Sequence, residues 1–432
     1  MFKKILGTGI TRVLNLLIGF ITMMMGTKVL GASEWGIGFT VLTDVTFLLV
    51  GIEFLAGSGL VYFTPRKKLS TLMLVSYSWI LTIMVVYALL FWILSSHPQF
   101  SDRLVPKGYE WITLLLTLIY SLHNFNLNIF LGKEKVGTFN WVFLLQIFVQ
   151  VCSMALFIFV GQIYDAHAFV YSLLCGYSVG FVTGLILLLP MLKKEGFDPI
   201  FLTAKEMLKY GYVIQLSTLV STLNRRMSIF LLRQHCDERS VGVYGAGAQV
   251  GEGVKVFGLS ISMVQFSRLS NLTDPDEIVK LTIQFLKITV ILTFLALFIL
   301  LCLPVSFFEW LFSEEFGQVK EIIFLMSPGL LFLSAQMIFS HYFSGTGVPK
   351  YNLFGALTGL AVTIPCTFLM IPTMGIQGAA ISFSCTYTAI MLYQWFTFKR
   401  LAGVRAKELL LTKEDWIWFK EEFFAIFAKN KN

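Results

Sequence analysis

Runs of about twenty apolar residues alternate along this chain with short segments of turn formers and clustered lysines and arginines. A helix rising 1.5 Å per residue needs about 20 such residues to cross a ~30 Å hydrocarbon core. Runs of this kind lie at 5–30, 37–63, 71–95, 111–131, 139–161, 168–190, 210–232, 243–267, 281–303, 321–344, 352–371 and 377–398. Barrel strands would be about 10 residues long with alternating polarity, and these runs do not alternate. Composition closes the other routes, because only 13% of the residues are charged while 56% are hydrophobic. Soluble domains carry about 25% charged residues, so no polar shell can be built for a soluble enzyme. The six cysteines show no paired or C-x-x-C spacing, which supports neither a disulfide framework nor a metal site. The expected fold is an all-α polytopic membrane protein with twelve transmembrane helices.

Basic residues set the expected orientation. With the start placed inside, inner segments hold Lys3, Lys4, Arg66, Lys67, Lys68, Lys133, Lys135, Lys193, Lys194 and most of the tail lysines, whereas outer segments hold only Arg103, Lys107, Arg233, Arg239 and Lys320. Both termini are therefore expected in the cytoplasm. The first run is too long for a signal-peptide core and carries Arg12, so it reads as an uncleaved helix. Six runs precede the stretch 191–209 and six follow it. Sliding the chain by 213 places Arg12 on Arg225, His123 on Gln336, Phe130 on Phe343 and Gly132 on Gly345, and a shift of 206 places Gly36 on Gly242. The expected organisation is two pseudo-symmetric six-helix lobes, 1–190 and 210–398, a cytoplasmic linker at 191–209 and an amphipathic cytoplasmic tail at 399–432. An even number of spans per lobe makes the repeats parallel, an arrangement that places a site between halves that rock.

Charges inside the runs carry the functional reading. Arg12, Lys28, Arg225, Arg226, Lys255, Lys287, Asp44, Glu53 and Glu252 all fall within them. Facing lipid, these nine would cost on the order of 25 kcal/mol together, so they pair, snorkel or line a cavity. Depth along the helices suggests three couples: Arg12 with Glu53, Arg225 with Glu252, and Lys28 with Asp44. Arg226 and Lys255 are then left without acids, and a cavity with surplus positive charge expects an anionic ligand. Arg12, Arg225, Arg226 and Lys255 are the candidate substrate-binding cations, and Asp44, Glu53 and Glu252 the candidates for ion pairing or Na⁺/H⁺ coupling. The bland reading is that the arginines and acids merely lock helices together. Asn15, His123, Asn124, Asn224 and Gln249 are candidate polar lining; they equally suit helix–helix contacts. His123 and His341 read either as proton relays or as hydrogen-bonded spacers, and Pro328 and Pro365 as fixed kinks or hinges.

Enzyme signatures are weak. Gly245-Ala-Gly-Ala-Gln-Val-Gly251 lies in an apolar run with no preceding strand, where close helix packing explains it better than a dinucleotide. Asp274-Pro-Asp276-Glu277 suits turn chemistry better than a metal. No P-loop, H-E-x-x-H or G-x-S-x-G occurs, so no enzyme activity, catalytic residue or cofactor is expected beyond a coupling Na⁺ or H⁺. The Trp416-Ile-Trp-Phe stretch reads as an interfacial helix.

Several local patterns have a familiar order: Leu30-Gly31-Ala-Ser-Glu34-Trp35-Gly36, Gly57-Ser-Gly-Leu-Val-Tyr-Phe63, Gly242-Val-Tyr244, Phe312-Ser-Glu-Glu-Phe316 and Gly375-Ile-Gln-Gly378-Ala-Ala. Together they resemble the polysaccharide-transport branch of the multidrug/oligosaccharidyl-lipid/polysaccharide (MOP) exporter superfamily, the O-antigen and capsule-repeat flippases. Thr11-Arg12-Val-Leu14 is also similar to the first-helix arginine motif of the related lipid II flippases, which have two further helices; the polysaccharide branch therefore fits better. The resemblance implies a multi-pass protein of the bacterial cytoplasmic membrane that flips an undecaprenyl-pyrophosphate-linked oligosaccharide to the outer leaflet. It implies work beside a polysaccharide polymerase and chain-length machinery, and no nucleic acid. It also implies that cavity arginines hold the pyrophosphate, Arg12 directly and Arg225 through the internal repeat. A cation antiporter of the same fold would want uncompensated acids in the cavity. A membrane glycan polymerase or ligase, the rival from another class, would want a larger outer loop.

Overall fold

The computed structural model describes residues 2–57, 59–95, 105–192, 196–269, 272, 274–409 and 412, with the side chains of 2–13, 94–95, 213–214, 263–264, 266–268 and 406 outside the described set. No strand occurs among the described residues. The helices are α1 (Phe2–Val29), α2 (Gly31–Ala56), α3 (Gly59–Phe63), α4 (Leu69–Ser95), α5 (Glu110–Gly132), α6 (Val136–Phe159), α7 (Ala166–Leu188), α8 (Ile200–His235), α9 (Glu238–Gly253), α10 (Val256–Leu269), α11 (Pro275–Cys302), α12 (Val305–Phe312), α13 (Val319–Gly345) and α14 (Lys350–Ala402). Among the described residues, eight helical stretches are long and apolar enough to cross a membrane. The segments α8 and α9–α10 are not among them, because arginines, amides, serines and glycines dilute their apolar content.

Several boundaries differ from the reading of apolar runs, at the starts of α2, α9 and α11, at the breaks between α2 and α3 and between α9 and α10, and most of all in α8 and α14. Helix α8 begins at Ile200, ahead of the run at 210–232. Its first turns are tied down by a Lys67–Glu206 ion pair at 2.7 Å and by Met207, buried in a core with Phe125 and Phe130. Helix α14 takes in the last two runs, interrupted at Gly375, where φ is 55° and ψ is −127°. That left-handed backbone needs glycine, and a Cβ on Gly378 just beyond it would strike the Met370 carbonyl.

Chain contacts form two compact units, Met1–Ala246 with Val305–Val319, and Gly247–Pro304 with Lys320–Asn432. In the first unit α7 packs along α5 and α6, while α2 packs on α4, α5 and α8. The outward faces carry large exposed apolar side chains, Leu81, Val85, Leu89 and Trp92 on α4 among them, as a lipid-facing surface does. Three of the motif loops meet at the start of α2. The Glu315 carboxylate accepts from the Ala32 amide at 2.7 Å, and a Cβ on Gly36 would strike the Glu238 carbonyl, as one on Gly242 would strike that of Ala32. The shift of 206 pairs Gly36 with Gly242 and Ala32 with Glu238, so this contact is reciprocal.

The second unit is built on Phe339, Phe343, Phe398 and Leu286. Pro328 interrupts α13, and Ser384 of α14 fills the gap: its hydroxyl donates to the Leu325 carbonyl at 2.6 Å and accepts from the Gly329 amide at 3.2 Å. A hydroxyl can do both, so the turn around Pro328 is braced from the neighbouring helical segment. Asp274 caps α11, accepting from the Asp276 amide at 3.0 Å, with Pro275 in the first turn. That explains the Asp-Pro-Asp-Glu motif as an N-terminal cap.

Candidate functional site

The polar residues of the first unit gather where α2 is interrupted. The helix ends at Ala56, the backbone turns extended at Gly57, and α3 resumes at Gly59. Interrupted backbone at membrane depth needs polar partners, and here α8 supplies one. Gln215, 2% exposed, donates its amide to the Glu53 carbonyl at 3.1 Å, an oxygen that also accepts from the Gly57 amide. The Glu53 carboxylate accepts from Asn124 on α5 at 3.1 Å. One turn before Asn124, Tyr120 stacks on Tyr177 of α7 with ring centroids 4.3 Å apart. Tyr120 lies within Coulombic reach of both Glu53 and Arg226. The Arg226 guanidinium sits over the Phe39 ring, 5.5 Å from its centroid, a cation–π contact that holds a charge without neutralising it. The site therefore combines one carboxylate, one guanidinium, amides and paired phenols.

Arg225, one residue away, is exposed, and no hydrogen bond or ion pair holds it among the described residues. Two arginines in succession on a helix point about 100° apart, and their unlike surroundings follow from that. Asn224 is buried and bonded within the protein, whereas Asn15 is half-buried and Gln249 exposed. The side chain of Arg12 lies outside the described residues, and with it the expected Arg12–Glu53 couple, as does the Trp416 stretch.

The two other couples expected from depth are replaced. Glu252 pairs with Lys255 at 2.5 Å, three residues on, where α9 gives way to α10. Residues three apart share one helix face, so Lys255 is not a cation left without an acid. Lys28 sits over the Trp310 ring of α12, 5.1 Å from its centroid, while Asp44 lies within Coulombic reach of Arg233, a residue the charge count assigned to an outer segment. His123 is 1% exposed, its ring lying against Gly180 of α7 and 5.7 Å from the ring of Tyr177, as a spacer packed between two helices does. His341 instead bonds its own helix at the Met337 carbonyl, 2.9 Å away. Among the described residues no three His, Cys, Asp or Glu side chains are grouped to hold a metal ion. Tyr120, Tyr177 and Phe39 escaped the sequence reading; Tyr120 stands three and four residues before His123 and Asn124, the spacing of one helix face.

Glycines of the Gly245–Gly251 motif meet side chains: Gly245 faces the Phe39 ring, Gly247 faces Ile322 and Gly251 faces Leu330. Close packing thus accounts for them.

Known proteins place this arrangement. The family model "Lipid II flippase MurJ" matches residues 66–421. A curated relative, the capsular polysaccharide biosynthesis protein CapF of Staphylococcus aureus, is 24% identical over 204 residues, which is 46% of this chain and 50% of that one. The chain thus spans about half the length of that curated relative. Among solved structures, lipid II flippase MurJ in an inward closed conformation matches with a TM-score of 0.71 at 16% identity, covering 100% of this chain and 94% of that one. An inward-facing multidrug transporter of the MATE family matches equally well in fold, with a TM-score of 0.71 at 15% identity over 90% and 94%. A MOP transporter from Pyrococcus furiosus, described by a reverse polarity of its binding pocket, scores 0.67 at 14% identity over 93% and 96%. Fold similarity alone does not separate flippase from drug exporter; the family model does.

Proposed function

The chain belongs to the lipid II flippase MurJ family of the MOP exporter superfamily, and on that premise we propose that it flips an undecaprenyl-pyrophosphate-linked oligosaccharide repeat unit from the inner to the outer leaflet. The family is one of flippases, and the capsular relative favours a polysaccharide repeat over lipid II as cargo. The observation that carries the reading is the charge of the α8 arginines. Arg226 is held over an aromatic face, Arg225 is exposed, and a guanidinium offers paired N–H donors that match two phosphate oxygens. Arg12, which the internal repeat pairs with Arg225, joins them in this proposal. A drug-cation antiporter would present uncompensated acids, but in the site of the first unit the carboxylate of Glu53 is answered by Asn124 and accompanied by Arg226.

In the proposed cycle the two six-helix lobes alternate access, with both termini in the cytoplasm and all twelve runs spanning the membrane. The reciprocal Gly36–Gly242 contact supports duplication, since such isologous contacts are what a twofold axis produces. Glu53, together with Asp44, supplies the carboxylates for a coupling Na⁺ or H⁺. A polymerase and chain-length machinery would take the product at the outer leaflet.

The test is movement of a fluorescent polyprenyl-pyrophosphate oligosaccharide between leaflets of proteoliposomes. Protein-dependent movement that ignores a monophosphate analogue is expected. Efflux of lipophilic cations without glycolipid movement, by folded protein, would overturn the proposal in favour of the antiporter.

A further inference from the structure

Along α11, Asp276, Lys280, Gln284 and Lys287 recur at spacings of four, four and three and so share one face. With Gly403 and Glu408 beyond the end of α14, that face borders a cavity of about 370 Å³, within the range of small-molecule pockets. The cavity is graded in charge and depth. Asp276, Lys280 and Glu408 are exposed at its mouth, while Gln284 and Lys287 are 8% and 7% exposed on its floor. Asp276 and Lys287 lie roughly 16 Å apart along the helix at 1.5 Å per residue. A buried lysine in an apolar helix is costly, and the last carbonyls of α14, which ends in the left-handed Gly403, favour a cation nearby. Lys287 also interacts within the protein, but an ammonium has three N–H donors, enough for a ligand oxygen as well.

We propose that this cavity binds a phosphoethanolamine group, its phosphate on Lys280, Gln284 and Lys287 and its ammonium between Asp276 and Glu408. Two cations and two acids make the lining neutral overall but segregated. A simple anion would meet both acids at the mouth, and a simple cation would meet Lys287 on the floor. A zwitterion whose phosphate lies deeper than its ammonium satisfies both, which is the order a bilayer headgroup presents to a helix face at the membrane boundary. This site is separate from the arginine site of α8 and does not depend on the flipping reaction. The same chemistry is offered by a membrane lipid and by free O-phosphoethanolamine.

The experiment is native mass spectrometry of the purified full chain with phosphatidylethanolamine or phosphatidylglycerol, with and without O-phosphoethanolamine. Wild type should retain the ethanolamine lipid about tenfold better, the effect of one charge-assisted hydrogen bond. Lys287→Met should lose both lipids, and the rim double variant Asp276→Asn with Glu408→Gln should lose the preference while keeping its melting temperature. Displacement of the lipid by O-phosphoethanolamine would show that the headgroup suffices; failure to displace a retained lipid would identify the lipid as the ligand. Equal retention of the two lipids by wild type, or an unchanged preference in the folded rim variant, would overturn the proposal.

Discussion

Two of the breaks in the helices of this chain lie beside a glutamate. Where α2 gives way to α3, the Glu53 carboxylate is met by the neutral amide of Asn124, while Gln215 holds the Glu53 backbone carbonyl. Where α9 gives way to α10, Glu252 is met by the ammonium of Lys255 at 2.5 Å. A carboxylate met by an amide finds no opposite charge in that contact, and it is the one proposed above to serve a coupling cation. An acid answered by a lysine three residues away is neutralised on the spot, and the pair is a local brace. Similar sequence, an acid in an apolar run, therefore sits in the proposed transport site in one place and in a local helix brace in the other.

The comparison breaks most readily at the arginines. Arg226→Ala is expected to lower glycolipid flipping about 100-fold, the loss of a charge-assisted contact to phosphate, and Arg225→Ala about tenfold or more, while Arg103→Ala, at an outer position by sequence, leaves the rate unchanged. Glu53→Gln keeps the shape of the side chain and removes its charge. It should lower transport about tenfold and flatten the dependence on the Na⁺ or proton gradient, measured by imposing each gradient in turn. Lys255→Met leaves the carboxylate of Glu252 without its lysine, and thermal unfolding should show a loss of about 1–2 kcal/mol, reduced by partial exposure of the pair. Adding Glu252→Gln to that variant should recover most of it. The smallest effect is expected at Ser384→Ala, which removes the hydroxyl bridge beside Pro328 and should cost about 1 kcal/mol with flipping little changed.

Much of this architecture was legible in the residues. Apolar runs located the helices because hydrocarbon permits little else, and Gly36 and Gly242 stood out because a repeat pairs them. The partners of the charges were not legible. Depth counting sought partners across helices, which offered Arg225, and passed over Lys255, three residues from Glu252 on the same face. The same count sent Lys28 toward Asp44, although the ring of Trp310, more than two hundred residues away in sequence, receives it. The stacked phenols of Tyr120 and Tyr177 went unnoticed because tyrosine in a membrane helix usually signals an interface, and only tertiary packing turns the two rings together. The start of α8 at Ile200 was hidden for a similar reason, since its first turns are anchored by Lys67 and Met207's core, not by membrane length.

The central claim is that the polar site of the first unit carries transport while the Glu252–Lys255 pair is structural. It is tested most directly by measuring flipping in proteoliposomes for Arg226→Ala beside the double variant Glu252→Gln with Lys255→Met. The account predicts that the double variant stays within about twofold of wild type while Arg226→Ala falls about 100-fold. Comparable losses in the two variants, with both proteins folded, would contradict it.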